Sequence, residues 1–183
     1  MVLNNYYRLL AAALRSNSTS WINGGTAECP IGIDGAAITR FIPSKIHNCL
    51  SLLLEASTIG NAYNSTNGRA TAVIFGNGST PPTANDYKFA GSVISNLNVL
   101  VSPLDLTAQN NVITQKRIFT ITNNNANAIT ISEVGITCNI FQYTQDARFI
   151  VERTVLDTPV TIPAGGIGQV EYTITCNYPT ATA

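Results

Sequence analysis

The chain has 183 residues and a mass of 19.5 kDa, room for one compact domain with a short arm and for a core that needs no metal or disulfide. Ten Lys and Arg balance ten Asp and Glu, a formal net charge of +0, which argues against a basic nucleic-acid footprint and against a polybasic membrane patch. Only 11% of residues are charged and 45% are hydrophobic, so solubility rests on 20 Asn and 22 Thr, an uncharged polar surface suited to contact with other protein or to life outside a cell.

Leu3, Tyr7, Leu10 and Leu14 are spaced by four, three and four, the stripe of an amphipathic helix, and Ala11, Ala12 and Ala13 add helix propensity. Ser16 to Ser20 then compete for backbone hydrogen bonds and end it. The apolar run Leu9–Leu14 is shorter than the core of a secretion signal and lacks a basic start. No stretch approaches the roughly 20 apolar residues that span a bilayer. A lone helix of this length is marginal in water, so its stripe must dock on its own domain or on a neighbouring subunit. The expected organisation is a helical arm over residues 1–20 and one β domain over residues 21–183.

From Trp21 to Gly60 turns come close together, at Gly24-Gly25, Cys29-Pro30 and Asp34-Gly35. Ala36–Ile42 and Ile46–Leu54 read as buried strands, although Cys49–Glu55 fits a short helix equally well. Thr71–Phe75 is a strand of β-formers closed by Gly76-Asn77-Gly78, and Ser79–Asp86, with Pro81 and Pro82, is a loop. Strands follow at Val93–Leu100 and Val112–Thr122, and then an Asn-rich turn over Asn123–Asn127. Ile129 and Ile131 share one parity, whereas Val134, Ile136, Cys138 and Ile140 share the other, so a β-bulge or break is expected near Ser132-Glu133. There Glu133 turns to the interior or to a backbone amide, a structural role. Val160–Ile162 leads through Pro163–Gly166, a hairpin-like turn, into an alternating strand with Val170, Tyr172, Ile174, Cys176 and Tyr178 on its apolar face. Short strands at regular spacing without a βαβ rhythm predict a mainly β fold, an antiparallel β-sandwich of the jelly-roll or Ig-like kind, with the N-terminal α-helical arm.

Nothing in this pattern predicts catalysis. His47 is the sole histidine and no serine near it sits in a nucleophile elbow. His47 and Cys49 supply two metal ligands without a matching pair, and Asp34, Asp105 and Asp146 stand apart, so neither zinc nor calcium is expected, nor any other cofactor. Gly165-Gly166-Ile167-Gly168 is flanked by strands, which makes it a turn rather than a phosphate cradle. Trp21, Tyr63 and Tyr87 are candidates for sugar stacking, though each fits a core or edge position better. Without a secretion signal the four cysteines are expected reduced, with Cys138 and Cys176 buried on their strands. A disulfide between those two requires neighbouring strands, which the sequence leaves open.

Val73-Ile74-Phe75-Gly76-Asn77-Gly78-Ser79-Thr80-Pro81-Pro82-Thr83-Ala84-Asn85-Asp86-Tyr87-Lys88 is similar to a strand, Gly-rich turn and D-Y-x-L segment of structural proteins of tailed bacteriophages, with Phe89 where an aliphatic is usual. Phe119–Asn124 and Ala128–Ile136 resemble their F-T-N-N and I-T-I-x-E-I-G passage, and Leu156–Gly165 with Val170–Thr175 resembles their ending. Leu3-Asn4-Asn5-Tyr6-Tyr7 is a further echo at the N-terminus. The likeness spans about residues 70–178. It implies a virion part, built in the host cytoplasm, that packs into a symmetric capsid- or tail-associated assembly with copies of itself and other virion proteins. It brings no catalytic residues, and the balanced charge leaves neither nucleic acid nor membrane as an expected partner. The alternative is a receptor- or carbohydrate-binding module of a phage fibre, whose partner is a host surface glycan. The expected contact residues are Leu3, Tyr7, Leu10 and Leu14 of the arm, and Pro81, Pro82 and Tyr87 of the loop region.

Overall fold

A computed structural model describes residues 1–8, 22–23, 31–36, 40–41, 72–142 and 145–177. Residues 4–8 are helical, and the remaining regular structure there is antiparallel β. Two short strands, β1 (Ile22–Asn23) and β2 (Arg40–Phe41), pair with each other. One larger sheet has the order β3 (Ala72–Gly76), β7 (Ile129–Gln142), β8 (Gln145–Ile162). The other is built on β6 (Val112–Asn123), paired along one side with β9 (Ile167–Asn177) and along the other with β4 (Leu97–Val101) at residues 119–123 and with β5 (Asp105–Gln109) at residues 112–116. The expected strands at 71–75, 93–100 and 112–122 lie at these places, shifted by a few residues. Of the two strands expected between Ala36 and Leu54, only Arg40–Phe41 falls within the described residues.

Both sheets contribute to one apolar cluster. Val73, Phe75, Ile131, Val134, Ile136, Phe149, Val151 and Ile162 come from the first sheet, and Leu97, Val99, Phe119, Ile121, Val170 and Tyr172 from the second. The rings of Phe75 and Phe119 meet edge to face, 6.0 Å apart. Burying each such side chain contributes roughly 1.5–3 kcal/mol. On the other face of the first sheet a second cluster forms from Leu3, Phe89 and Ile150, with Ile33, Ile74 and Val93 packed against it. That sheet is therefore covered twice, and residues 131–137 and 149–153 are buried without a break.

The bulge expected at Ser132-Glu133 is present as a register shift on β7: Ile131 faces Val160 of β8, but Glu133 faces Val155. The turn at Pro163–Gly166 does not close a hairpin within one sheet. It carries the chain from β8 in one sheet to β9 in the other, with Gly165 at φ 69 and the Gly166 amide donating to the Pro163 carbonyl (2.9 Å). Asn123, expected in a turn, is the last residue of β6 and is fully buried. Its Nδ2 donates to the carbonyls of Asn127, Ile162 and Pro163 (2.9, 3.1 and 3.0 Å) and its Oδ1 accepts from the Asn125 amide (2.9 Å). One side chain thus ties together two of the three places where the chain passes between the larger sheets, β6 to β7 and β8 to β9. A second expectation fails at Cys176, which is exposed and carries a free thiol, because the end of β9 runs past the cluster that holds Val170 and Tyr172. The side chain of Cys138 lies outside the described residues.

Candidate assembly surface

The outer layer over the first sheet is built from two segments far apart in sequence, the N-terminal residues and the loop between β3 and β4. Buried charge holds the loop down. Glu133 is fully buried at the β7 bulge, where its carboxylate accepts from the backbone amides of Ala90 (3.0 Å), Gly78 (3.2 Å) and Gly91 (3.3 Å). Arg153, opposite Gly135 on β8 and only 1% exposed, donates from Nε to Glu133 Oε1. Its two remaining nitrogens reach Asp86 Oδ2 (2.5 Å) and the Thr80 carbonyl (2.7 Å). Asp86 in turn accepts from the amide and hydroxyl of Thr83 (2.9 and 2.6 Å), and the Ser132 hydroxyl donates to the Gly78 carbonyl (3.0 Å). A planar guanidinium can address two carboxylates and a carbonyl at once, which a lysine ammonium cannot do in this geometry. Burial pushes the Asp86 carboxyl up, but the bonds from Thr83 and Arg153 together outweigh it and hold the group below the ordinary carboxylate value.

Close backbone approach makes this possible. A Cβ on Gly78 would lie 2.5 Å from the Gly91 amide nitrogen, so both strands of the loop need glycine where they cross. Phe89 packs against Gly76 and Gly135, and a Cβ on Gly135 would be 2.5 Å from its ring. From Phe75 onward the loop also returns along the edge of β3, where the Asn77 and Ile94 amides donate to the Ser92 and Phe75 carbonyls (3.2 and 2.8 Å).

The N-terminal segment covers the opposite edge. Val2 bridges Glu152 of β8, and the amides of Leu3 and Arg153 donate to Val151 and Met1 carbonyls (2.9 and 3.0 Å). The Met1 amino group lies 2.6 Å from Glu152 Oε1, and burial pushes that carboxyl up against the pull of this contact and of Thr154. Asn5 is buried, donating to the Ile31 and Ile150 carbonyls (2.9 and 3.1 Å) and accepting from the Ile31 amide (2.7 Å). Asn4 joins the two segments, its amide donating to the Ala84 carbonyl (2.9 Å) and its side chain to Asn85 Oδ1 (2.8 Å).

Of the residues expected to make contacts, Leu3, Tyr7, Pro81, Pro82 and Tyr87 all fall in this one layer, and Leu10 and Leu14 lie outside the described residues. Leu3 is wholly buried beside Phe89 and Ile150, so its side chain is spent on its own domain and offers nothing to a neighbour. Tyr7 is 58% exposed, its ring edge-on to Tyr6, and Pro81 is exposed. Pro82 and Tyr87 are half-buried; the Tyr87 ring packs beside Gly35 and under the Lys88 ammonium, 5.7 Å from its centre. Sequence reasoning located Glu133 but missed Phe89, Asn5, Asp86 and Arg153. The one available signal was that charge is scarce in this chain, so each Asp or Arg near a Gly-rich loop is a candidate anchor. The sugar-stacking candidates Trp21 and Tyr63, the sole histidine His47 and Cys49 lie outside the described residues.

Among the described residues, no three His, Cys, Asp or Glu side chains are grouped to hold a metal ion, and no helix is long and apolar enough to cross a membrane. No protein-family model, curated protein or solved structure matches the chain.

Proposed function

We propose that this chain is a structural part of a bacteriophage virion, packing into a symmetric capsid- or tail-associated assembly through protein–protein contacts. The observation that carries the reading is the outer layer itself. Residues 1–8 and 77–91 are locked in advance by buried charge and apolar packing, yet present Tyr7, Ser79, Thr80 and Pro81 to solvent. A pre-ordered surface loses little entropy on docking, and short uncharged side chains allow close contact without burying unpaired charge. The ordered likeness of residues 70–178 to tailed-phage structural proteins supports the same reading. Two antiparallel sheets sharing one cluster support a β-sandwich, and seven strands from β3 to β9 fit the Ig-like size better than a jelly roll of eight.

Electron microscopy of particles labelled with antibody against this chain tests the proposal, with labels expected at symmetry-related positions on head, collar or tail. Absence of label from purified particles contradicts it. A glycan-array signal that disappears in Tyr7→Ala would instead favour a fibre-borne carbohydrate-binding module.

A further inference from the structure

The edges of the two sheets are treated differently. In the first sheet, residues 92–94 run along β3 and residues 1–3 along β8. In the second, β5 pairs only with β6 among the described residues, and all five of its residues, Asp105 to Gln109, are exposed. The segment is short and carries one charge, Asp105 at its start, but its middle, Leu106 to Ala108, holds no charge, Pro or bulge to keep the edge from pairing with another chain.

The hydrogen-bonding groups at that edge can be assigned. Asn110 and Asn111 both have positive φ (50 and 64), a two-residue turn of the I′ kind joining Gln109 to Val112. The pair Gln109–Val112 that closes such a turn is hydrogen-bonded, and bonded pairs alternate back along an antiparallel ladder. Asp105, Thr107 and Gln109 therefore bond inward to β6, while the amides and carbonyls of Leu106 and Ala108 point outward.

We infer that β5 is a homotypic docking strand, joining two copies of this chain antiparallel about a two-fold axis at Thr107. That register sets Leu106 against Ala108 of the second copy, so each outward amide meets a carbonyl and the Leu106 side chain, 54% exposed in the free chain, gains an apolar neighbour. Charge selects the arrangement. Antiparallel pairing places Asp105 opposite the neutral Gln109, whereas parallel pairing in register stacks Asp105 on itself. Lys116 stands opposite Asp105 within each copy, and a net charge of +0 leaves no long-range repulsion between copies. Five residues a side make a small contact, so the pair forms weakly and depends on concentration. The pairing belongs to the free chain and does not depend on the outer layer docking to anything.

The test is analytical ultracentrifugation of the purified full chain over a range of concentrations, with Ala108→Pro as the key variant. That change removes an outward amide and leaves the ladder to β6 intact, so melting temperature stays near the parent value while the dimer dissociation constant rises at least about tenfold. Thr107→Cys in a Cys176→Ser background is expected to form a disulfide-linked dimer on mild oxidation, because directly opposed strand residues lie within disulfide reach. Ser79→Cys in the same background serves as the comparison. A chain that stays monomeric at every concentration, a dimer untouched by Ala108→Pro, or Thr107→Cys cross-linking no faster than Ser79→Cys would each overturn the inference. None of these outcomes bears on whether antibody labels the particle.

Discussion

Arg153 is the single residue on which the loop depends, because its guanidinium joins Glu133 on β7, Asp86 in the loop and the Thr80 carbonyl. Buried ion pairs add little net stability over an apolar replacement of both partners, but removal of one partner strands the other charge. Arg153→Met is therefore expected to cost roughly 3–5 kcal/mol, read by denaturant unfolding, and Arg153→Lys to rescue only part of it, since donors on a single nitrogen cannot span acceptors set around three guanidinium nitrogens. Asp86 gives the pH response. Its carboxyl sits below the ordinary 3.8, so its contribution is complete above that value and is lost as pH falls through the lower native one. Hydrogen-exchange protection at residues 78–91, taken relative to the intrinsic rate at each pH, should fall in that acid window, and Asp86→Asn should remove that pH step. Glu133 was legible in the sequence because the parity of β7 switches around it. Asp86 and Arg153 were not, since 67 residues separate them and no local pattern pairs an acid with a base at that range.

At the scale of elements, alternation revealed the strands with one solvated face and hid the others. β9 reads cleanly because Val170 and Tyr172 face the core while Glu171 and Thr173 face water. Of β8, the longest strand, only the end at Val160–Ile162 was legible, because Phe149, Ile150, Val151, Glu152 and Arg153 are all buried, between the second sheet on one side and the N-terminal segment on the other. β5 was missed for the opposite reason, every residue being exposed. The outer layer also sets the tolerance of β7. Gly135→Ala would press a methyl into the Phe89 ring and the Glu152 carbonyl, and is expected to lower stability by roughly 1–3 kcal/mol in thermal melts. Asn123→Ala leaves the ends of two sheet-to-sheet connections without their shared donor, an expected loss of roughly 2 kcal/mol by the same measurement.

At the scale of the whole molecule, the ion pairs among the described residues differ in where they work. Glu133, Arg153 and Asp86 work inside, fixing a layer, whereas pairs such as Lys116–Glu171 (2.8 Å) lie on the surface and contribute little. Much of the exposed surface among the described residues is short and uncharged, with Asn, Thr and Ser at many positions. The arm and the loop were both legible as contact candidates from an apolar stripe and a Pro/Gly-rich segment. Their union in one layer was not, because it rests on Asn4, Asn5 and Phe89 meeting residues up to 145 positions away. If that layer is the docking surface, Ser79→Cys in a Cys176→Ser background should react readily with a soluble maleimide in the free chain and far more slowly in assembled particles. Equal labelling in both states would contradict docking through the outer layer.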